Sequence, residues 1–211
     1  VMVAAAAKLG IEQDEYDLAG ALLGRPLELC RAKTVDVDVP ANAEIVIEGR
    51  LLGGVHEPEG PFAEYTGYMT DRSTRNVLEV TCITMRRDPI FVDLIPGSSA
   101  EHLPLGRASK EAWVHKRMAE ALPFFRDFYY PASGTHYHCY IRIDKSAEGQ
   151  AKQAAALLMG LDPYVKLAVV VDRDIDPTCE ADVLWAMATR AQADRDVEIL
   201  SGVRCTPLDP A

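Results

Sequence analysis

The stretch "TVDVDVPANAEIVIEGRLLGG", Thr34 to Gly54, decides how the first half of the chain is read. Val35, Val37 and Val39 alternate with Asp36 and Asp38, and Pro40 ends the run. Period two with one apolar face is the pattern of a half-buried strand. Ala43–Gly54 repeats that grammar. Outward from it, "LELCRAK" (Leu27–Lys33) precedes, and "NVLEVTCITMRR" (Asn76–Arg87) and "PIFVDLIPG" (Pro89–Gly97) follow, divided by the turn Arg87-Asp88-Pro89. Five short strands at close intervals predict an antiparallel sheet or barrel up to about residue 96. Before them, Gly10–Gly24 predicts a helix: acids crowd its first turn, Ile11, Leu18, Leu22 and Leu23 give it an apolar side, and Gly24-Arg25-Pro26 stops it.

After residue 100 the grammar changes. "RASKEAWVHKRMAEA", 107–121, predicts a helix closed by Leu122-Pro123 and is read as a linker. "HYHCYIRID" predicts a strand, "SAEGQAKQAAALLMG" a helix, "KLAVVVDRDID" a strand buried on both faces, "EADVLWAMATRAQ" a helix and "VEILSG" a last strand. Strands alternating with helices indicate a smaller α/β domain. The expected fold class is therefore α/β (α+β): an antiparallel portion over 1–100, a linker helix over 101–121 and an α/β domain over 122–211.

Composition narrows the partners. The 211 residues carry a net charge of −10, which argues against nucleic acid, since phosphate binding wants a surplus of Lys and Arg. Five scattered cysteines without a CxxC fit a reduced, cytoplasmic protein. No apolar run approaches the roughly 18 residues of a membrane span. The chain opens "VMVAAAA" with no cap or turn before it, as if inside an element, which predicts a fragment or one subunit of something larger.

The chemistry-bearing stretch is "EPEGPFAEYTGYMT", Glu57–Thr70. Glu59 and Glu64 would face opposite ways on a straight strand. Pro58, Gly60 and Pro61 forbid one, so a turn can bring both acids towards one site, with Phe62, Tyr65 and Tyr68 to desolvate them. The plainer alternative is a hairpin loop with solvated acids, Glu57 among them. His136 and His138 share a strand face at a spacing able to hold a metal, against two satisfied or surface histidines as the alternative. Asp172–Asp176 ends a strand, where ligands often bind in α/β sheets, or simply caps the next turn.

"VPANAEIVIEG" followed by "EGPFAEYTGY", then "IPGSSAEH", "KLAVVVDRDID", "DVLWAMATR" and "CTPLDP", together resemble the UbiD family of reversible decarboxylases, in order and along the whole chain. The resemblance implies prenylated FMN as cofactor and aromatic or α,β-unsaturated carboxylic acids as substrates. It implies Glu64 as the proton-donating acid and Glu59 as its partner. A third member of that network, an arginine, comes from a segment of the family pattern upstream of this chain. Glu15 matches a ligand of a divalent ion, Mn2+ or Mg2+, that bridges protein and cofactor phosphate; an asparagine and a histidine ligand again lie upstream. Val3–Ala7 matches a segment whose carbonyls hold a monovalent cation, K+. Thr206 and Leu208 match residues lining the substrate pocket. A cofactor-contacting lysine of some members aligns with Gly160, with Lys166 the nearest lysine. The resemblance also implies a split β-barrel for residues 1–100 and a homo-oligomer, dimer or hexamer, formed through the C-terminal domain. The alternative is a non-catalytic or split-enzyme subunit that meets the missing N-terminal half as a separate partner.

Overall fold

Helix α1, Glu15–Leu23, begins where the Asp14 carboxylate accepts a hydrogen bond from Tyr16 N at 2.7 Å, and ends at Gly24 in the left-handed region (φ +67). Both are capping devices that satisfy otherwise unpaired backbone groups. The computed structural model describes Ala4, Leu9, residues 12–70 and residues 75–211. Gly10 and Ile11, included in the expected helix, lie outside the described residues.

The chain divides into two compact units. The first holds the residues up to Ala63 together with Met69–Pro96; the second holds Glu64–Tyr68 and Gly97–Ala211. In the first, β1 (Leu29–Arg31) pairs antiparallel with β2 (Asp38–Pro40), and β3 (Ile45–His56) pairs antiparallel with β6 (Asn76–Met85). The short strands β4 (Phe62–Ala63) and β5 (Met69–Thr70) form a third antiparallel pair.

The "VDVDV" alternation does not make the expected continuous strand. Only Asp38–Pro40 is paired, and Thr34–Val37 turns back, with Ala32 N donating to the Val37 carbonyl. Glu48 supplies the reason. Its carboxylate, buried on β3, accepts from Lys33 N (2.8 Å), Thr34 N (2.6 Å) and Thr34 Oγ1 (2.8 Å). Two amides that a longer ladder would use are bonded to this carboxylate, chiefly through Lys33, and it is held below the usual carboxylate range. "PIFVDLIPG" does not form the expected strand either; Ile90 N donates to the Glu44 carboxylate at 3.1 Å, and Ile90, Phe91, Val92 and Ile95 are exposed. β3 and β6 place Ile47, Leu51, Val80, Ile83 and Met85 on one exposed face. Their register shifts at Glu48/Gly49, where a Cβ on Gly49 would lie 2.4 Å from the Glu79 carbonyl oxygen.

The second unit is built on a three-stranded sheet. β7 (Phe125–Tyr129) runs antiparallel to β8 (His138–Ile143), and β8 runs parallel to β9 (Leu167–Asp172). A parallel neighbour requires a crossover, supplied by α3 (Gln150–Leu161). Helix α2 (His102–Ala121) starts earlier than the sequence pattern suggests. It tolerates Pro104 because an amide in the first turn has no partner within the helix. Val114 and Met118 of α2 pack with Cys139, Ile141, Ile143 and Leu158 in the main core. On the other side of β8, Tyr140 packs with Val171, Val183 and Ala186, the last two from α4 (Glu180–Arg190). A last short helix, α5, covers Ala193–Asp196. "VEILSG" is not a strand: residues 197–202 are irregular and Ile199 is exposed. The described chain is thus a mixed α/β protein whose sheets include no closed barrel. Among the described residues no helix is long and apolar enough to cross a membrane.

Candidate active site

Glu64 opens the turn between β4 and β5. Glu64 N donates to the Tyr68 carbonyl at 3.0 Å and Gly67 N donates to the Glu64 carbonyl at 2.9 Å. Gly67 has φ +85, a backbone state that side chains disfavour, which is why glycine stands there. Glu64 is half-buried and the next residue, Tyr65, is buried. Tyr68, expected to desolvate the acids, is 63% exposed.

Tyr65 sits among four rings of the second unit: His136 at 5.4 Å, Tyr164 at 5.9 Å, Tyr137 at 6.0 Å and His102 at 6.4 Å between centroids. Its hydroxyl lies 3.3 Å from that of Tyr137, which in turn donates to the Leu208 carbonyl at 3.3 Å. It also hydrogen-bonds with Thr206. Burial first, then Tyr137, pushes the Tyr65 phenol far above its ordinary range, so this hydroxyl stays neutral.

Thr206 is buried and Leu208 half-buried, and Thr206 Oγ1 accepts from Leu208 N at 3.3 Å. Lys166 Nζ holds the same corner through Asp209 at 2.8 Å and lies 5.1 Å from the Tyr137 ring centroid. Three of the candidate residues, Glu64, Thr206 and Leu208, therefore belong to the second unit, with Tyr65 and Tyr137 linking the Glu64 turn to the C-terminal turn. Glu59 and Glu15 belong to the first unit, and both are exposed. Val3–Ala7, apart from Ala4, lies outside the described residues.

Beneath the aromatic cluster is a buried ion pair. Lys110 Nζ donates to Asp162 Oδ2 at 2.7 Å, Tyr130 Oη donates to the same oxygen at 2.8 Å, and Tyr164 N donates to Oδ1 at 3.0 Å. The Lys110 ammonium also faces the rings of Tyr130 (4.4 Å) and Tyr164 (5.0 Å). These residues carried no motif in the sequence. The one local signal was a lysine on the apolar side of a helix.

The paired-histidine metal reading fails on geometry. His136 precedes β8, stands at φ +70, and packs on Tyr65; burial, reinforced by Lys110, pushes its pKa down to about 4. Among the described residues no group of three His, Cys, Asp or Glu stands together as a metal site. The "DRDID" acids are spoken for: Asp174 binds Arg190 through both oxygens and Asp176 accepts from Thr178. Glu15, on the first turn of α1, is a hard oxygen donor of the kind Mn2+ or Mg2+ shares with phosphate. It fits one side of such a site and cannot by itself make one.

The described chain is a mixed α/β protein with a half-buried carboxylate on an ordered turn beside a tyrosine-lined corner. Residues 1–99 match the domain described as the 3-octaprenyl-4-hydroxybenzoate carboxy-lyase Rift-related domain, and residues 104–211 match the C-terminal domain of the same carboxy-lyase. The chain belongs to the UbiD family. It is 31% identical to the phenolic acid decarboxylase of Bacillus subtilis, over 100% of this chain and 45% of that protein. Among solved structures it is similar to the UbiD-class enzyme HmfF from Pelotomaculum thermopropionicum in complex with FMN: TM-score 0.92, 43% identity, 100% of this chain and 47% of that one. It is also similar to an evolved dimeric form of that enzyme in complex with prFMN, with TM-score 0.90 and 43% identity, covering 95% of this chain and 47% of that one. The chain spans about half the length of the relatives it matches.

Proposed function

We propose that this chain carries the Glu64-bearing part of the active site of a prenylated-FMN-dependent decarboxylase, acting reversibly and without net oxidation on an aromatic or α,β-unsaturated carboxylic acid. The observation that carries the reading is the placement of Glu64: half-buried, on a hydrogen-bonded turn, next to an anchored aromatic, in a chain of this family. Prenylated FMN, when bound, supplies a ring able to hold the electron pair left when CO2 departs. Glu64 holds a proton on its carboxyl and delivers it to the carbon that has lost CO2, becoming a carboxylate that solvent recharges. In the carboxylation direction the same carboxylate takes that proton. Glu59 is assigned as the partner acid in this exchange. Thr206 and Leu208 close the corner of the substrate pocket. Glu15 would offer a carboxylate oxygen to Mn2+ or Mg2+, which would neutralise an anionic cofactor, and K+ would add to that charge balance.

In this reading residues 1–100 are the latter part of a split β-barrel, 101–121 join it to residues 122–211, and the last segment forms the homo-oligomer of a cytoplasmic enzyme. Glu64→Gln in the complete holoenzyme tests it. Prenylated FMN remains bound, and decarboxylation falls by at least the ~10²-fold that a positioned acid contributes. Undiminished turnover refutes the acid role. A second reading, a non-catalytic or split-enzyme subunit, draws on the exposed apolar face of β3 and β6, which calls for a covering partner. Cofactor retention and turnover by the purified chain alone would remove it.

A further inference from the structure

We propose that Tyr65 is the positioning residue for the Glu64 carboxyl, setting where the acid stands by fixing the turn that carries it into the aromatic corner of the second unit. Within Glu64–Tyr68, Tyr65 is the one buried residue; Thr66 and Glu64 are half-buried, and Gly67 and Tyr68 exposed. The turn is closed by its own two backbone bonds, Glu64 N to Tyr68 O and Gly67 N to Glu64 O, so it moves as a piece. What holds the piece is the Tyr65 side chain, with four rings around it and its hydroxyl tied through Tyr137 to Leu208. Adjacent Cα atoms are fixed about 3.8 Å apart, so a displacement of Tyr65 is passed to Glu64 almost undiminished. A misplacement of ~1 Å at a reacting group costs about 10²-fold in rate. The neutral, hydrogen-bonded phenol suits an anchor and not a group that exchanges protons.

Tyr65 has this role only if Glu64 is the proton donor proposed above, and the experiment separates the two. Tyr65→Phe, Tyr65→Leu, Glu64→Gln and the double variant Glu64→Gln/Tyr65→Leu are compared in the complete holoenzyme. The probe acid is whichever of 4-hydroxybenzoate and cinnamate the unaltered enzyme turns over faster. Phe keeps the ring in its cage and retains kcat within a few-fold. Leu empties most of the cage and lowers kcat by about 10²-fold with KM nearly unchanged, as expected for a group that acts on the chemical step. Hydrogen exchange of the Glu64 and Gly67 amides, which needs no substrate, accelerates in Tyr65→Leu and not in Tyr65→Phe. The double variant is no slower than Glu64→Gln alone, because Tyr65 acts through Glu64. Unchanged amide exchange in Tyr65→Leu overturns the inference, as does a double variant whose losses multiply. An active Glu64→Gln enzyme instead overturns the acid role itself.

Discussion

The pair Lys110–Asp162 offers a stability test that the geometry makes quantitative. The Lys110 side chain is 9% exposed and that of Asp162 2%. Asp162→Asn keeps one acceptor oxygen where the carboxylate offers two, and it removes the charge facing Lys110, leaving an ammonium in a nearly closed site. Breaking a buried pair in this way costs about 3–5 kcal/mol. For a chain of this size each kcal/mol moves the melting temperature by roughly 2–4 °C, so a drop of about 10 °C is expected. Lys110→Met alone should cost a similar amount, by stranding the carboxylate. The double variant removes both charges and keeps the volume; it should recover to within about 2 kcal/mol of the unaltered protein. The assay is tryptophan fluorescence during urea unfolding. Trp113 and Trp185, the chain's only tryptophans, both lie in the second unit, so the signal reports the unit that holds the pair. If Asp162→Asn stays within 1 kcal/mol of wild type, or the double variant is as unstable as the singles combined, the pair is not the buried linchpin the distances imply.

Two further outcomes are expected. Gly49→Ala drives a methyl into the Glu79 carbonyl, so β3 and β6 must part; a loss of about 1–3 kcal/mol should appear as faster amide exchange along both strands, and unchanged exchange would contradict the close approach. His136 has a folded pKa of about 4 against an ordinary 6.5, so in that window the unfolded chain binds a proton that the folded chain does not. Its contribution is complete above about pH 6.5 and is lost as pH falls towards 4, roughly 3 kcal/mol in all. His136→Asn, which accepts the φ of +70, should flatten the acid limb of the stability profile, and an unaltered slope would assign that limb elsewhere.

The elements legible in the sequence are those specified locally. Helix α1 announces itself through Asp14 and Gly24, and β8, α3 and α4 fall where their periodicities put them; β9 also falls in place but, at the edge of its sheet, is mostly half-buried with exposed ends rather than buried on both faces. Local pattern and structure part company where a distant residue decides. Glu48 turns the "VDVDV" alternation into a hairpin from 14 residues away. Apolar runs at 89–97 and 197–202 have strand composition but form no strand. The strand Phe125–Tyr129 was missed because Arg126 and Asp127 interrupt its pattern; they form ion pairs with Asp144 and Arg142 beside it. For the site, residue types alone left Glu64 undecided between acid catalyst and solvated loop, and the ordered family motifs singled it out. Nothing local in the sequence marks the Tyr65 corner, since its hydroxyl partner lies 72 residues on. No period or spacing encodes such a contact.

The chain enters the second unit at Glu64, leaves it at Met69 and returns at Gly97. That itinerary bears on how such proteins can be recombined. A gene crossover anywhere between residues 70 and 97 inherits Tyr65 from one parent and Tyr137, Tyr164 and Thr206 from the other. Chimeras cut at the boundary between the two matched domains, residues 99 to 104, carry the same mismatch. The seam visible in sequence is therefore not the seam along which the molecule can be exchanged, and a working graft of the C-terminal unit has to bring five residues of the preceding domain with it.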